Sequence, residues 1–286
     1  MPLEFGTTVP FVTLNDGVQI PQVGLGVFQV APEKTDETVL EALGAGYRHI
    51  DTAAGYQNEA GVGDALRTAQ DSLGLTHEDV FVTTKLANGD RAKGRDGALA
   101  AFDDSMAKLQ LERLDLWLIH WPGSDQANYV EVWKTFAELK DAGRIRSIGV
   151  SNFQKTHLRA LFDETGVVPS VNQVELHPWM QQEDLRAFHA EHGIATEAWS
   201  PIGQGGDLLA DETIGKIAAA HGKEPAQVVL RWHLQLGNIV IPKSVTPARI
   251  RSNIDLFSFQ LTDDDMAAIA GLERGERLGP DPDVFG

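Results

Sequence analysis

The chain has 286 residues, of which 42% are hydrophobic and 23% are charged, a composition typical of a globular enzyme. Its net charge of −17 argues against nucleic-acid binding, since a phosphate backbone needs a basic surface, and against binding to anionic membranes. Because it has no cysteines, disulfides, thiolate-bound metals and cysteine nucleophiles are excluded.

The first predicted element is a β-hairpin. Residues 12–14 and 18–20 have strand-like patterns and flank Asn15-Asp16-Gly17, which is typical of a tight turn. After it, short apolar runs alternate with amphipathic segments. The predicted strands are 24–27, 47–50, 80–84, 116–119, 147–150, 171–174, 195–199 and 239–241. The predicted helices are 35–43, 59–69, 98–109, 130–140, 155–162, 183–191, 212–236 (two helices, divided near 222–225), 249–256 and 262–271.

Alternating strands and helices, with eight strands in all, predict the α/β class and a closed (β/α)8 barrel of the TIM type. The N-terminal hairpin and the extra C-terminal helix add to this barrel. Thr262 and Asp265 have the spacing of a capping box at the start of that helix. The tail from Gly275 is expected to be irregular. No linker-like composition interrupts the chain, so residues 1–286 are predicted to form a single domain.

The sequence also predicts a cytoplasmic location. Residues 1–6 have neither the basic nor the apolar part of a signal peptide. No apolar run approaches the roughly 18 residues that a membrane span requires.

Asp51, Tyr56, Lys85 and His120 lie at or just after the ends of predicted strands. In a parallel barrel these ends meet at one rim, where active sites are found. A phenol is a weak acid unless a cation stabilises its anion, and Lys85, held by Asp51, could supply that cation. His120 could hydrogen bond to the atom that Tyr56 protonates. Such a set polarises a carbonyl and delivers a proton, but a reducing cofactor must supply the hydride.

Each of these residues has a simpler explanation when taken alone. Asp51 could be a turn residue, Tyr56 a surface side chain and Lys85 a solvated strand end. Two other protein classes also stay open. A non-catalytic cofactor-binding barrel would have no need of Tyr56, and a hydrolase would require paired carboxylates or a metal cluster at the strand ends, neither of which is evident.

Other polar groups give weaker signals. His189 and His192 have metal-like spacing, but no third ligand is evident, so no metal is predicted. Lys243, Arg249 and Arg251 cluster near Thr246-Pro247, which has the pattern of a helix N-cap and first residue. This cluster is equally compatible with an anion site and with a solvated basic patch.

Longer motifs make the sequence similar to the aldo-keto reductase superfamily. They are residues 46–53 with Tyr56 and Asn58-Glu59, 82–85, 115–122, 147–153, 172–175 with His177-Pro178, and 241–244. Within the superfamily, residues 199–205 and 226–234 most resemble small bacterial enzymes of the 2,5-diketo-D-gluconic acid reductase type.

This resemblance implies NADPH-dependent reduction of an aldehyde or ketone. Tyr56 would be the proton donor, supported by Lys85 and Asp51, and His120 would orient the carbonyl. The implied cofactor-binding residues are Ser151, Asn152, Gln173, Trp199, Ser200, Lys243, Ser244, Arg249 and Asn253. Trp199 would stack on the nicotinamide, although a rim aromatic is commonly a core residue.

The resemblance further assigns the 2′-phosphate and adenine pocket to Lys243, Ser244, Arg249 and Asn253, although Thr246 stands where near relatives carry arginine. Phe28 and Trp121 are expected at the substrate mouth, with Phe153 either there or in the core. Short loops predict an open rim. The substrate is a small carbonyl compound, with diketogluconate and methylglyoxal both possible, and the protein is expected to be a monomer.

Overall fold

The computed structural model describes residues 9–285. Residues 1–6, which were not expected to be a signal peptide, lie outside the described residues. The chain enters through an antiparallel hairpin of β1 (Phe11–Thr13) and β2 (Gln19–Pro21). At its turn, Gly17 has a φ of 85°, and the Asp16 carboxylate accepts a hydrogen bond from the Val18 N–H. The predicted hairpin is confirmed.

Eight parallel strands follow, and they are hydrogen-bonded in chain order. They are β3 (Leu25–Gly26), β4 (His49–Asp51), β5 (Phe81–Leu86), β6 (Leu114–Ile119), β7 (Ile145–Ser151), β8 (Val171–Glu175), β9 (Ala195–Trp199) and β10 (Ile239–Val240). A parallel bridge between Val23 and Val240 joins the first strand region to the last. The predicted (β/α)8 barrel is therefore confirmed.

Helices surround the sheet. They are α1 (Pro32–Gly44), α2 (Glu59–Leu73), α3 (Asn88–Arg91), α4 (Gly94–Leu109), α5 (Gln126–Asp141), α6 (Lys155–Thr165), α7 (Glu183–His192), α8 (Glu212–His221), α9 (Pro225–Gln235), α10 (Pro247–Ile254) and α11 (Asp263–Ala270). The predicted division of 212–236 is confirmed, with Gly222 in the left-handed conformation between α8 and α9. The capping box of Thr262 and Asp265 is also confirmed. The short α3 was not predicted. No helix within residues 9–285 has the length and apolar character needed to cross a membrane.

The hairpin closes the N-terminal end of the barrel. Leu14 and Ile20 pack against five inward-facing residues of four strands, in a cluster separate from the larger core between sheet and helices. The strand members of this cluster are Phe81, Leu116, Leu118, Val171 and Ile239. Among residues 9–285, apolar side chains fill this end of the barrel, so we expect ligands to enter at the C-terminal rim.

The C-terminal tail returns to that rim. The buried Glu175 carboxylate at the end of β8 accepts hydrogen bonds from the N–H groups of Leu278 (2.5 Å) and Gly279 (3.1 Å). Further along, the Phe285 ring lies edge-on to Trp121, with 4.7 Å between ring centroids. The tail is irregular, as predicted, and it lies across part of the rim that the short loops predict to be open.

Candidate active site

A buried ion pair lies at the centre of the rim. Asp51 is the last residue of β4 and Lys85 is near the end of β5, so both side chains point into the top of the barrel. The Lys85 Nζ donates to both Asp51 oxygens at 2.7 and 2.8 Å, and to the Thr52 carbonyl at 2.9 Å. Lys85 is 0% exposed, so burial and these hydrogen bonds together fix the position of its ammonium group.

Two rings stand over this pair. Tyr56 comes from a short 3₁₀ turn (Ala54–Tyr56) after β4, and His120 directly follows β6. The Lys85 Nζ lies 5.2 Å from the centroid of the Tyr56 ring. The Tyr56 and His120 ring centroids are 5.7 Å apart, and both side chains are partly exposed. The structure therefore brings together all four residues that the sequence placed at strand ends.

The ionisation of these groups follows from burial and from the single cation. Burial lowers the pKa of Lys85, but its anionic neighbours, Asp51 foremost, together more than offset this, so the pKa of Lys85 is raised and the side chain is an ammonium. Burial and the Lys85 charge lower the pKa of His120 to about 3. His120 is therefore a neutral imidazole with one N–H, and within residues 9–285 no hydrogen bond acts on its ring.

The pKa of Tyr56 departs from the simple expectation. Burial raises the pKa of the phenol, and the Lys85 charge lowers it by less, so the net pKa lies above the ordinary value. The hypothesis that Lys85 alone makes this phenol acidic is therefore incomplete. The hydroxyl is firmly protonated at neutral pH, which is the form that a proton donor needs.

Gln173 has a second role that the sequence did not indicate. Its side-chain amide donates to Asp51 Oδ2 and to Glu197 Oε2, both at 2.8 Å, so its N–H groups are already used inside the barrel. Only its carbonyl oxygen is left for a cofactor amide. The sequence did not predict Glu197 as a site residue, because a glutamate in the middle of a strand belongs to no recognisable motif. Its position two residues before Trp199, on the same face of β9, is the signal that could have found it.

Trp199 and the residues around it form one wall of the rim, at the ends of β7 and β9. The members of this wall are Ser151, Asn152, Trp199 and Ser200. The Trp199 indole N–H, at the end of β9, donates to Asn152 Oδ1 at 2.8 Å. Asn152 in turn donates to the His120 carbonyl (3.0 Å) and to the Ser151 hydroxyl (3.1 Å). Trp199 is partly exposed and Gly279 of the tail packs against its edge, so this ring is neither a core side chain nor a free surface one.

Two residues of this wall have strained backbones. Asn152 and Ser200 have φ values of 64° and 48°, in the left-handed region that non-glycine residues avoid. Such strain persists where the surroundings enforce it, and it is concentrated at functional sites. Here it positions the Asn152 amide to hold the Trp199 indole, and it turns the chain sharply after Trp199.

A cationic site lies beside the wall at the start of α10. Thr246 and Pro247 occupy the N-cap and first position as predicted, but the Thr246 side chain makes no capping bond, and its N–H donates to the Ser244 hydroxyl at 3.1 Å. Lys243 and Arg249 are exposed, and among residues 9–285 no carboxylate lies within 4.0 Å of either cation.

Not every basic residue of that cluster is free. Arg251 forms an ion pair with Glu41, so it is not part of an anion site. Ser244 and Asn253 are 8% and 4% exposed, and they lie at the inner side of the same segment. Within the described part of the chain, Lys243 and Arg249 thus have no carboxylate partner and lie near the start of a helix, the pattern expected of an anion site.

Aromatic residues lie on both sides of the opening above Tyr56 and His120, here called the mouth of the site. Phe28 is 53% exposed, and its ring centroid lies 5.0 Å from that of Tyr56. Trp121 lies on the other side, between His120 and Phe285. Phe153 is 0% exposed and packs against Tyr129 and His157, so it is a core residue. Phe285 was missed by sequence reasoning because nothing local indicates that the tail folds back.

The paired histidines of α7 have structural partners. His189 Nε2 lies 2.9 Å from Asn172 Nδ2, and its Nδ1 lies 2.9 Å from Thr196 Oγ1, so both ring nitrogens are satisfied in the core. His192 Nδ1 lies 2.9 Å from the Phe188 carbonyl oxygen. Within the described part of the chain, no three His, Asp or Glu side chains are placed to hold a metal ion.

Comparisons with known proteins agree with this geometry. A model described as the aldo/keto reductase family matches residues 22–274. An aldo-keto reductase of Mycolicibacterium smegmatis is 58% identical over 276 residues, which cover 96% of this chain and 98% of that protein. The methylglyoxal reductase DkgA of Escherichia coli (strain K12) is 51% identical over 276 residues, with the same coverage of 96% and 98%.

A solved structure is similar over its whole length. An aspartate-to-alanine variant of Gox0644, in complex with NADPH, superposes with a TM-score of 0.92 at 49% identity, and the match covers 98% of this chain and 100% of that one. Because the family model spans most of the sequence and the relatives are about half identical to it, this chain belongs to the aldo/keto reductase family and is an oxidoreductase.

Proposed function

We propose that the protein reduces the carbonyl group of aldehydes and ketones with NADPH, and that Tyr56 donates the proton. The observation that carries this proposal is a protonated phenol and a neutral imidazole above a buried Lys–Asp pair. The centroids of the two rings are 5.7 Å apart. A carbonyl oxygen placed between the two rings can accept a hydrogen bond from each. Within residues 9–285 no His, Asp and Glu cluster is placed to hold a metal that could activate water, so the arrangement favours reduction over metal-assisted hydrolysis.

The four residues then have separate tasks. The His120 N–H orients the carbonyl oxygen and polarises the bond, while the Tyr56 hydroxyl transfers its proton to that oxygen. Lys85 stabilises the tyrosinate that this transfer leaves, because its ammonium is fixed beside the ring. Asp51 keeps Lys85 charged and prevents it from reaching solvent.

Several residues outside the catalytic set fit a dinucleotide. When bound, NADPH supplies the hydride that the site itself lacks. The Trp199 ring is held by Asn152 in a position suited to stacking on a nicotinamide, and Ser151, Asn152 and the Gln173 carbonyl suit its carboxamide. We assign backbone contacts with the pyrophosphate to Ser200 and to the glycine-rich turn at 203–206. The NADPH complex of the Gox0644 variant supports the choice of cofactor.

The cationic site at α10 supports a preference for NADPH over NADH. Lys243 and Arg249 have no carboxylate partner within the described chain, and Ser244 and Asn253 lie beside them. We assign these four residues to the 2′-phosphate and the adenosine. Arg249 carries most of this assignment, because it presents two donors in a plane to a phosphate.

For the substrate we propose a small dicarbonyl compound of the methylglyoxal type. The relatives named methylglyoxal reductase DkgA support it. The mouth between Phe28 and Trp121 is apolar, and Phe285 lies across one side of it, which suits compact molecules better than extended ones. We also propose that the chain acts as one barrel domain and as a monomer.

The test is a panel of carbonyl substrates measured with NADPH and again with NADH. Methylglyoxal, 2,5-diketo-D-gluconate and an aromatic aldehyde would be compared by kcat/KM. We expect turnover of at least one small dicarbonyl, with kcat/KM higher for NADPH than for NADH. A protein that binds NADPH but turns over none of these compounds would be the non-catalytic cofactor-binding barrel instead.

A further inference from the structure

Glu197 is a buried carboxyl group that the proposed mechanism does not use. It lies in β9 two residues before Trp199, so its side chain enters the barrel just below the rim. It is 0% exposed. A carboxyl group in such a place needs either a cation or a proton, since an uncompensated buried charge is costly.

The hydrogen bonds of Glu197 tie it to the catalytic pair. The two hydrogens of the Gln173 amide are shared between Asp51 Oδ2 and Glu197 Oε2, each at 2.8 Å. The other oxygen of Glu197 has no hydrogen-bond partner within the described residues. The His49 Nε2 lies 3.7 Å from that oxygen. Gln173 therefore bridges two carboxyl groups, and as a neutral amide it compensates neither.

The charges around Glu197 do not balance if every group is ionised. The groups that face it are Asp51 and His49 from β4, Lys85 from β5, Gln173 from β8, and Tyr56 above them. Only Lys85 is positive, because burial lowers the pKa of His49 to about 3. Lys85 donates two hydrogen bonds to Asp51, so Asp51 holds the cation. Burial and the nearby Asp51 charge raise the pKa of Glu197 to about 8.

We propose that Glu197 is a positioning residue for the reaction: its protonated carboxyl leaves a single negative charge beside Lys85, and its ionisation adds a second one that opposes loss of the Tyr56 proton. This inference rests on the proposed role of Tyr56 as the proton donor. As the pH rises, Glu197 ionises, and its charge raises the pKa of Tyr56 further. The phenol then stays protonated, and able to reduce substrate, to a higher pH than it otherwise would.

The variant Glu197→Gln tests this, because glutamine has the shape and neutrality of the protonated glutamate but cannot ionise. We expect the alkaline fall in kcat for carbonyl reduction to move to lower pH by roughly one unit. Oxidation of the alcohol product, which needs Tyr56 to accept a proton, should begin to rise at lower pH by a similar amount. The KM for NADPH should not share this shift. Glu112→Gln removes the same charge from an exposed position and should leave the profile unchanged.

Melting curves give a second readout that needs no activity. The pKa of Glu197 is higher in the folded state than its unfolded value of about 4.3, so its folded-state stability is fully present below that pH and is lost as the pH rises towards 8. The Tm of Glu197→Gln minus that of the wild type should therefore increase as the pH rises from 5 to 8. Should the variant fail to fold, infrared difference spectra of the wild type should show a buried carboxyl losing its proton near pH 8.

The outcomes separate the two proposals. Identical pH profiles and parallel melting curves for wild type and Glu197→Gln, or an equal loss of kcat at every pH, would overturn the role of Glu197. So would wild-type infrared spectra with no such carboxyl. A wild type that reduces no carbonyl compound would instead overturn the proposed function, while the melting comparison would still report whether Glu197 carries a proton.

Discussion

The barrel carries an Asp–Lys pair at each end, and the two pairs differ in their surroundings. At the hairpin end, Lys140 Nζ donates to Asp16 Oδ2 at 2.6 Å, and at the rim Lys85 Nζ donates to Asp51 Oδ1 at 2.7 Å. The side chains of the first pair are 30% and 13% exposed, and those of the second are 0% and 2% exposed. Bond length alone does not distinguish them.

The difference lies in what else each carboxylate meets. Asp16 also accepts hydrogen bonds from the hydroxyl groups of Ser147 and Ser170 and from the Val18 N–H, so it joins the hairpin turn to β7 and to the loop before β8. Asp51 holds a lysine beneath Tyr56 and His120, whose rings face the open rim. An ion pair of the same kind is thus a structural clamp at one end and part of the proposed proton-transfer site at the other.

The largest contrast should come from removing each lysine. Lys85→Met leaves Asp51 buried without its cation, and breaking a buried pair costs about 3–5 kcal/mol. It also removes the charge that stabilises the tyrosinate, so we expect turnover to fall at least 100-fold. Lys140→Met is the matched control, with a loss of about 1 kcal/mol and wild-type kcat. Thermal unfolding and NADPH-oxidation kinetics measure both. A Lys140→Met protein as inactive as Lys85→Met would contradict the claim that the pair at the hairpin end has only a structural role.

The anion site should show an effect on cofactor choice. Arg249→Ala should weaken NADPH binding by about 10- to 100-fold, since a charged hydrogen bond contributes about 1.5–3 kcal/mol, and should leave NADH binding nearly unchanged. Arg251→Ala is the control, because Arg251 is paired with Glu41. Fluorescence titration with both cofactors measures this. Equal losses for NADPH and NADH would remove Arg249 from the 2′-phosphate assignment.

The smallest expected effect concerns the pH dependence of the clamp at the hairpin. Burial raises the pKa of Asp16, but hydrogen bonds from Lys140, Ser147, Ser170 and Val18 more than offset this, so its pKa lies below the usual value. A carboxyl with a lowered folded-state pKa adds stability above its unfolded pKa of about 3.9, and that stability is lost as the pH falls through the folded value.

Asp16→Asn should therefore cost about 1 kcal/mol at pH 7, measured by urea unfolding, and less below pH 4. A free-energy difference between wild type and variant that stays constant from pH 7 to pH 3 would mean that the Asp16 charge contributes nothing to the clamp.

The fold was predictable because its signals are local and repeated. Strand β9 was placed at its observed limits, and the Asn15-Asp16-Gly17 turn and the capping box at Thr262 are short-range patterns with direct physical causes. The short α3 and the return of the tail to Glu175 were missed. They depend on contacts between residues far apart in the chain, such as Glu175 with Leu278, which no local pattern encodes.

The site was predictable only as a set of strand ends. Topology alone brings Asp51, Lys85 and His120 to one rim, because neighbouring parallel strands end together. The second use of Gln173, the burial of Glu197 and the net rise in the Tyr56 pKa depend on distances and desolvation inside the barrel, which the sequence does not reveal.

The most direct test of the account is single-turnover reduction by Tyr56→Phe. The variant keeps the ring that packs on Phe28 and His120 but loses the proton, and general acid catalysis contributes about 10²–10⁴-fold. We predict a fall of that size in the rate of NADPH oxidation with methylglyoxal or another substrate that the wild type accepts, with NADPH affinity retained. A Tyr56→Phe protein that turns over at the wild-type rate would contradict the assignment of Tyr56 as the proton donor.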